Sequence, residues 1–158
     1  MFSTPADLSP TLPAPAPPAR ASAAHPDILW GDSRPDLIRM EVLADILEAT
    51  ALRTPKQLAL VFGDHTLSYQ ELDARADQVA SHLIEAGVRP GHRVGLWLPR
   101  GIDLLTMQAG IAKTGAAWLP FDADTPVERI AVCLEDAGAY GLVTCQDWVP
   151  RLAATRAP

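Results

Sequence analysis

The sequence predicts an α/β fold, a partial parallel sheet with flanking helices and a β-hairpin, and three observations carry that expectation. From Asp36 onward, short runs that are apolar on both faces alternate with segments of helical periodicity, the pattern of crossovers above a parallel sheet. Ahead of them, two β-prone runs flank Gly63-Asp64-His65, where glycine supplies the positive φ of a tight hairpin. The length of 158 residues, 48 % hydrophobic and 20 % charged, is enough for one core and too short for a second full domain.

Taken in order, residues 1–35 hold eight of the 15 prolines, spaced by Ala, Ser and Thr. Such a stretch breaks helices and buries little, so it reads as a disordered tail with the domain spanning 36–158. Leu43, Ile46, Leu47 and Thr50 fall at i, i+3, i+4, i+7, predicting a helix over Ile38 to Arg53 that stops before Pro55. Leu58 to Phe62 and Thr66 to Ser68 are the hairpin strands. Leu72, Ala76, Val79, Ala80 and Leu83 mark one face of a helix from Tyr69 to Ala86, with Gly87 as its C-terminal cap. There follow strand Val94 to Leu98, helix Ile102 to Thr114, strand Ala117 to Leu119, helix Pro126 to Ala137 and strand Gly141 to Thr144.

Composition excludes several classes. The net charge of −6 would repel a phosphate backbone, so nucleic-acid binding is disfavoured. No run approaches the roughly 18 apolar residues of a membrane span, and prolines stand where a signal peptide would be apolar, which makes the cytoplasm the default location. Cys133 and Cys145 lack zinc or redox spacing and read as reduced, packed thiols. The four histidines show no paired ligand spacing.

Two strings are the most informative. In Leu67-Ser68-Tyr69-Gln70-Glu71-Leu72, Ser68 and Glu71 have the spacing of a capping box, flanked by Leu67 and Leu72 as a hydrophobic staple. Thr125-Pro126-Val127-Glu128 repeats the box, with proline at the first helical position. Gly110-Ile111-Ala112-Lys113-Thr114-Gly115 has the two glycines of a phosphate loop, but alanines replace its Lys and Ser or Thr. Asp122 and Asp124 suit the positive end of the following helix better than a cation, and Lys113 suits the negative end of its own.

Leu67, Ser68, Tyr69, Glu71 and Leu72 resemble the first core motif of the adenylation domains of nonribosomal peptide synthetases and the wider adenylate-forming, AMP-binding superfamily. Residues 112–122, with Lys113, Gly115, Pro120 and Asp122, resemble the second core motif, continued by Pro126, Glu128 and Arg129. Trp118, Thr114 and Ala123 replace the usual tyrosine, alanine and proline. Trp30 and Arg34 to Arg39 are similar to the polylysine-synthase-type branch. The resemblance covers Ile38 to Thr144 and implies the N-terminal portion of the large domain of such an enzyme.

Such enzymes activate a carboxylate with ATP and Mg²⁺ as an acyl adenylate and pass the acyl group to a phosphopantetheine or CoA thiol. The resemblance places a Gly-, Ser- and Thr-rich phosphate loop with its lysine soon after Thr144, and residues 145–158 contain neither glycine nor lysine. The expectation is therefore a fragment that binds no cofactor itself and has no catalytic or metal residue, its motif residues being structural. Its partner would be the downstream remainder of a synthetase. A free-standing α/β interaction module is the alternative.

Overall fold

The computed structural model describes residues 34–37 and 40–154, and the chain divides into units 1–38 and 39–158. In the first unit the described residues form a single 3₁₀ turn, Pro35–Leu37, beside which the Arg34 guanidinium donates to the Asp36 carboxylate at 2.9 and 2.7 Å. The tail expected over residues 1–35 and the Trp30 resemblance fall, except at Arg34 and Pro35, outside the described residues.

In the second unit, helix α1 covers Leu43–Arg53. This corrects the expected start at Ile38. Val42 is extended, with ψ 170°, and its N–H donates to the Asp45 carboxylate at 3.0 Å, so the chain enters the helix only after that residue. Strands β1, Leu58–Phe62, and β2, His65–Ser68, form the antiparallel hairpin, with Gly63 at φ 57° between them.

Helix α2, Tyr69–Glu85, begins directly after β2. Its end is a Schellman closure: Gly87 N donates to Ile84 O at 3.0 Å and Val88 N to Leu83 O at 2.9 Å. Gly87 takes φ 100° there, and a Cβ on it would also overlap the Tyr140 hydroxyl, which donates to Ala86 O at 2.9 Å.

Strand β3, Arg93–Trp97, is the centre of a parallel sheet in the order β4-β3-β5, with β4 at Ala117–Phe121 and β5 at Gly141–Thr144. Helix α3, Ile102–Lys113, links β3 to β4, and α4, Val127–Asp136, carries the chain back across β3 to β5. β4 runs on past the expected Leu119 through Pro120. An edge strand tolerates a proline because one row of its N–H groups has no ladder partner to lose.

Alternation along β3 divides the core. Val94, Leu96 and Leu98 join Val88, Ile111 and Ala116 in one buried cluster, on which Leu83, Leu104, Met107, Trp118, Val143 and Cys145 pack. Gly95 and Trp97 take the other face, where a Cβ on Gly95 would crowd Leu134 and Leu142. Leu96, Ile111 and Trp97 are fully enclosed, and each fully buried aliphatic side chain contributes about 1.5–3 kcal/mol.

The second expected capping box does not form. Helix α4 starts at Val127, its N-cap Pro126 is extended at ψ 138°, and no side chain caps it. Thr125 instead closes a turn, its N–H donating to Asp122 O at 3.0 Å, which leaves its hydroxyl one residue too early.

Candidate functional site

The first core motif is a helix start. Ser68 N donates to Glu71 Oε2 at 2.8 Å, Ser68 Oγ donates to the same oxygen at 2.7 Å, and Glu71 N donates to Ser68 Oγ at 3.3 Å. The backbone N–H of Ser68, then its hydroxyl, hold the Glu71 carboxyl below its usual range. Tyr69 N and Gln70 N donate to Gln57 O and Pro55 O at 2.9 and 3.1 Å, so the loop after α1 absorbs two further helix donors. Leu67 and Leu72 are buried on either side, as a staple requires.

The second motif is distributed over an interface and a sheet edge. Lys113 is the last residue of α3, as expected, and its charge is also paired across to α2. Its Nζ lies 2.8 Å from Asp73 Oδ1 and 2.5 Å from Asp77 Oδ1, both on α2. Burial works against the ammonium charge, but the hydrogen bonds and charges of Asp73 and Asp77 outweigh it and raise the Lys113 pKa. Gly115, at φ 74°, turns the chain against Pro90. Pro120 is on the outer strand β4, Asp122 follows that strand, and Pro126, Glu128 and Arg129 form the entrance to α4, where Arg129 N donates to Pro126 O at 3.0 Å.

These residues are thus spread over the α2 start, the α2–α3 contact, the turn after α3, strand β4 and the loop from β4 into the first turn of α4. Sequence reasoning missed one constellation. Trp97 Nε1 donates to Asp122 O at 3.0 Å, the Trp97 and Trp148 rings meet at 4.7 Å, and the Arg151 guanidinium lies 4.4 Å over Trp97. Arg151 also donates to Ala123 O at 3.2 Å, fastening helix α5, Val149–Ala154, to the loop after β4. The i, i+3 spacing of Trp148 and Arg151 is the available signal, though nothing local indicates Trp97 as their platform.

A cleft of about 520 Å³ opens where β3 and β4 end, lined by Leu60, Phe62, Leu104, Phe121 and Asp122 among others. The carboxyl ends of parallel strands are where α/β sheets place ligands. Cys145–Ala154 forms a 3₁₀ turn and a short helix without glycine or lysine, and Gly110 lies inside α3 against Val79. Among the described residues, no three His, Cys, Asp or Glu side chains converge to hold a metal ion. Cys133 and Cys145 are both free thiols.

A hairpin feeding a helix, then a β-α-β-α-β parallel sheet carrying both core motifs, defines the N-terminal portion of an adenylate-forming domain. The family model described as AMP-binding enzyme matches residues 47–157, and the chain belongs to that family. It is 54 % identical over 127 residues to delta-poly-L-ornithine synthetase of Acinetobacter baumannii (strain AB307-0294), across 80 % of this chain and 10 % of that protein. Malpibaldin synthetase of Mortierella alpina is 39 % identical over 115 residues, 73 % of this chain and 2 % of the relative.

Solved structures agree. The nonribosomal peptide synthetase FmoA3 in an AMPPNP-bound form superposes with TM-score 0.65 at 37 % identity, over 70 % of this chain and 12 % of that one. The N-terminal domain of FACL13 from Mycobacterium tuberculosis gives TM-score 0.69 at 26 % identity, over 75 % and 31 %. The chain therefore spans a tenth or less of these relatives and under a third of that solved domain. Among the described residues, no helix is long and apolar enough to cross a membrane.

Proposed function

We propose that this chain supplies the N-terminal layer of an amino-acid-activating adenylation domain, in which ATP and Mg²⁺ convert the substrate carboxylate to an acyl adenylate before transfer to a phosphopantetheine or CoA thiol. The single observation behind this reading is the 54 % identity to a protein named as a poly-ornithine synthetase. The chain's own residues build the hairpin, the α2–α3 support and the carboxyl end of the sheet, and the downstream remainder of a synthetase supplies the phosphate loop. The described residues alone are inactive in this reading.

The test is a chimera in which residues 39–154 replace the matching segment of the poly-ornithine synthetase. Amino-acid-dependent ATP–pyrophosphate exchange by the chimera supports the proposal. A folded chimera without exchange, beside an active parent, overturns it and favours a free-standing interaction module.

A further inference from the structure

Strand β1 has one edge without a partner. It pairs with β2 alone, and among the described residues no backbone group from Leu58 to Phe62 bonds to backbone outside that hairpin. The hairpin closes through the two-residue turn Gly63-Asp64, so Phe62 and His65 face each other and Val61 turns its N–H and C=O away from β2. Ala59 is bulged out of the register and has no partner on β2. Exposed edges are normally guarded by charge or proline, and Leu58-Ala59-Leu60-Val61-Phe62 contains neither, the bulge being its one guard. Leu58, Val61 and Phe62 are exposed.

The residues flanking the strand indicate what fits there. Lys56 and Asp64 stand four residues on either side of Leu60, the midpoint of β1, and both are exposed. Among the described residues, neither makes a hydrogen bond or ion pair. Two β1 strands laid antiparallel about a two-fold axis at Leu60 bring Lys56 of each copy opposite Asp64 of the other, Leu58 opposite Phe62 and Ala59 opposite Val61. The outward groups of Ala59 and Val61 then bond each other, Leu58 and Phe62 form an apolar cross-strand pair, and each charge meets its opposite. A shift of register in either direction breaks the charge match.

We propose that the β1 edge docks a second copy of this chain, the two β1 strands pairing antiparallel about a two-fold axis at Leu60 to make a four-stranded sheet. Surface ion pairs add little affinity, so Lys56 and Asp64 set the register and the partner while the ladder and the apolar pairs hold the dimer. One five-residue strand from each copy falls below the roughly 1,200 Å² of a stable interface, and the dimer should therefore dissociate on dilution. The inference goes beyond amino-acid activation and does not require it.

The test is sedimentation equilibrium of the whole chain over a range of concentrations, with charge reversals at the two flanking positions and circular dichroism to check that each variant is folded. The unaltered chain is expected to follow a reversible monomer–dimer equilibrium. Lys56→Glu alone and Asp64→Lys alone should each weaken it by about fivefold, because each sets like charges opposite one another at both ends of the paired strands. An equimolar mixture of the two variants should recover the original association, since every charge in the mixed dimer again faces its opposite. Val61→Lys, which places two charges beside the axis, should abolish the dimer. A monomer at every concentration overturns the proposal and leaves the edge to a different chain. Single reversals that change nothing, or a mixture that fails to recover, also overturn it and assign any association to apolar surface elsewhere. None of these results bears on pyrophosphate exchange by the chimera, so the two proposals fail separately.

Discussion

Gly110 of α3 and Val79 of α2 meet where the two helices cross, and a Cβ on Gly110 would overlap Val79 Cβ and Cγ1 and come within 3.1 Å of Ala76 O. The backbones approach this closely because the crossing point has no side chain on one side. The same crossing is tied by Lys113 to Asp73 and Asp77 one turn further on, so apolar contact and charge pairing fix one geometry.

Gly110→Ala should therefore destabilise the fold, although alanine is the better helix former by about 1 kcal/mol. Overpacking a well-filled contact costs about 1–3 kcal/mol, and the backbone carbonyl of Ala76 cannot rotate away. Denaturant unfolding should show the loss, and adding Val79→Ala should restore part of it. A gain in stability from Gly110→Ala alone would show that the crossing is looser than described.

Replacing Lys113 with methionine keeps the length of the side chain and strands Asp73 and Asp77 beside each other. Lost charged hydrogen bonds of this kind cost about 1.5–3 kcal/mol. The raised folded pKa of Lys113 means its contribution is full below the unfolded lysine value and is lost as pH rises through the folded one. The gap between wild type and Lys113→Met should close only in strongly alkaline solution. An unchanged gap at high pH would remove the ion pair as its cause.

Ser68→Ala should cost about 1 kcal/mol, the usual effect of removing an N-cap hydroxyl. Glu71 has its folded pKa lowered by Ser68, so the pairing stabilises above the unfolded glutamate value of about 4.3 and is lost as pH falls through the folded one. Equilibrium unfolding at neutral and acid pH should show the penalty shrinking on acidification. A pH-independent penalty would mean that the bond from the Ser68 hydroxyl to the Glu71 carboxylate contributes nothing, because the residue-68 N–H that also donates to Glu71 is kept in the variant.

What the sequence discloses, and what it withholds, follows from the range of the interactions. The hairpin turn, the Ser68–Glu71 box and the Gly87 cap are legible because each is set by residues within five positions. The start of α1 is not, because helical periodicity says nothing of Asp45 reaching back to Val42 N. The Thr125 box fails because spacing alone does not fix Pro126 as helical, and Pro126 is extended. Lys113 is legible as a residue at a helix end but not as the partner of Asp73 and Asp77, 40 and 36 positions earlier. The Trp97–Arg151 contact is illegible for the same reason, since it joins distant segments.

Helix α1 and strand β1 expose Leu43, Ile46, Leu52, Leu58, Val61 and Phe62, with Leu52 79 % and Val61 65 % accessible. Apolar surface of this extent favours association. Sedimentation of the purified chain should show concentration-dependent self-association, reduced by Leu52→Ser with Val61→Thr. A monodisperse monomer at all concentrations would show that these side chains do not form an adhesive face.

The most direct measurement is amino-acid-dependent ATP–pyrophosphate exchange by the purified, folded chain, assayed over a panel that includes ornithine. The account predicts no exchange with any amino acid, because Cys145–Ala154 provides no glycine-rich loop or lysine at the end of the sheet and the motif residues are occupied in capping and packing. Exchange that depends on an added amino acid would contradict it, and would mean that these residues hold a nucleotide in a way their geometry does not reveal.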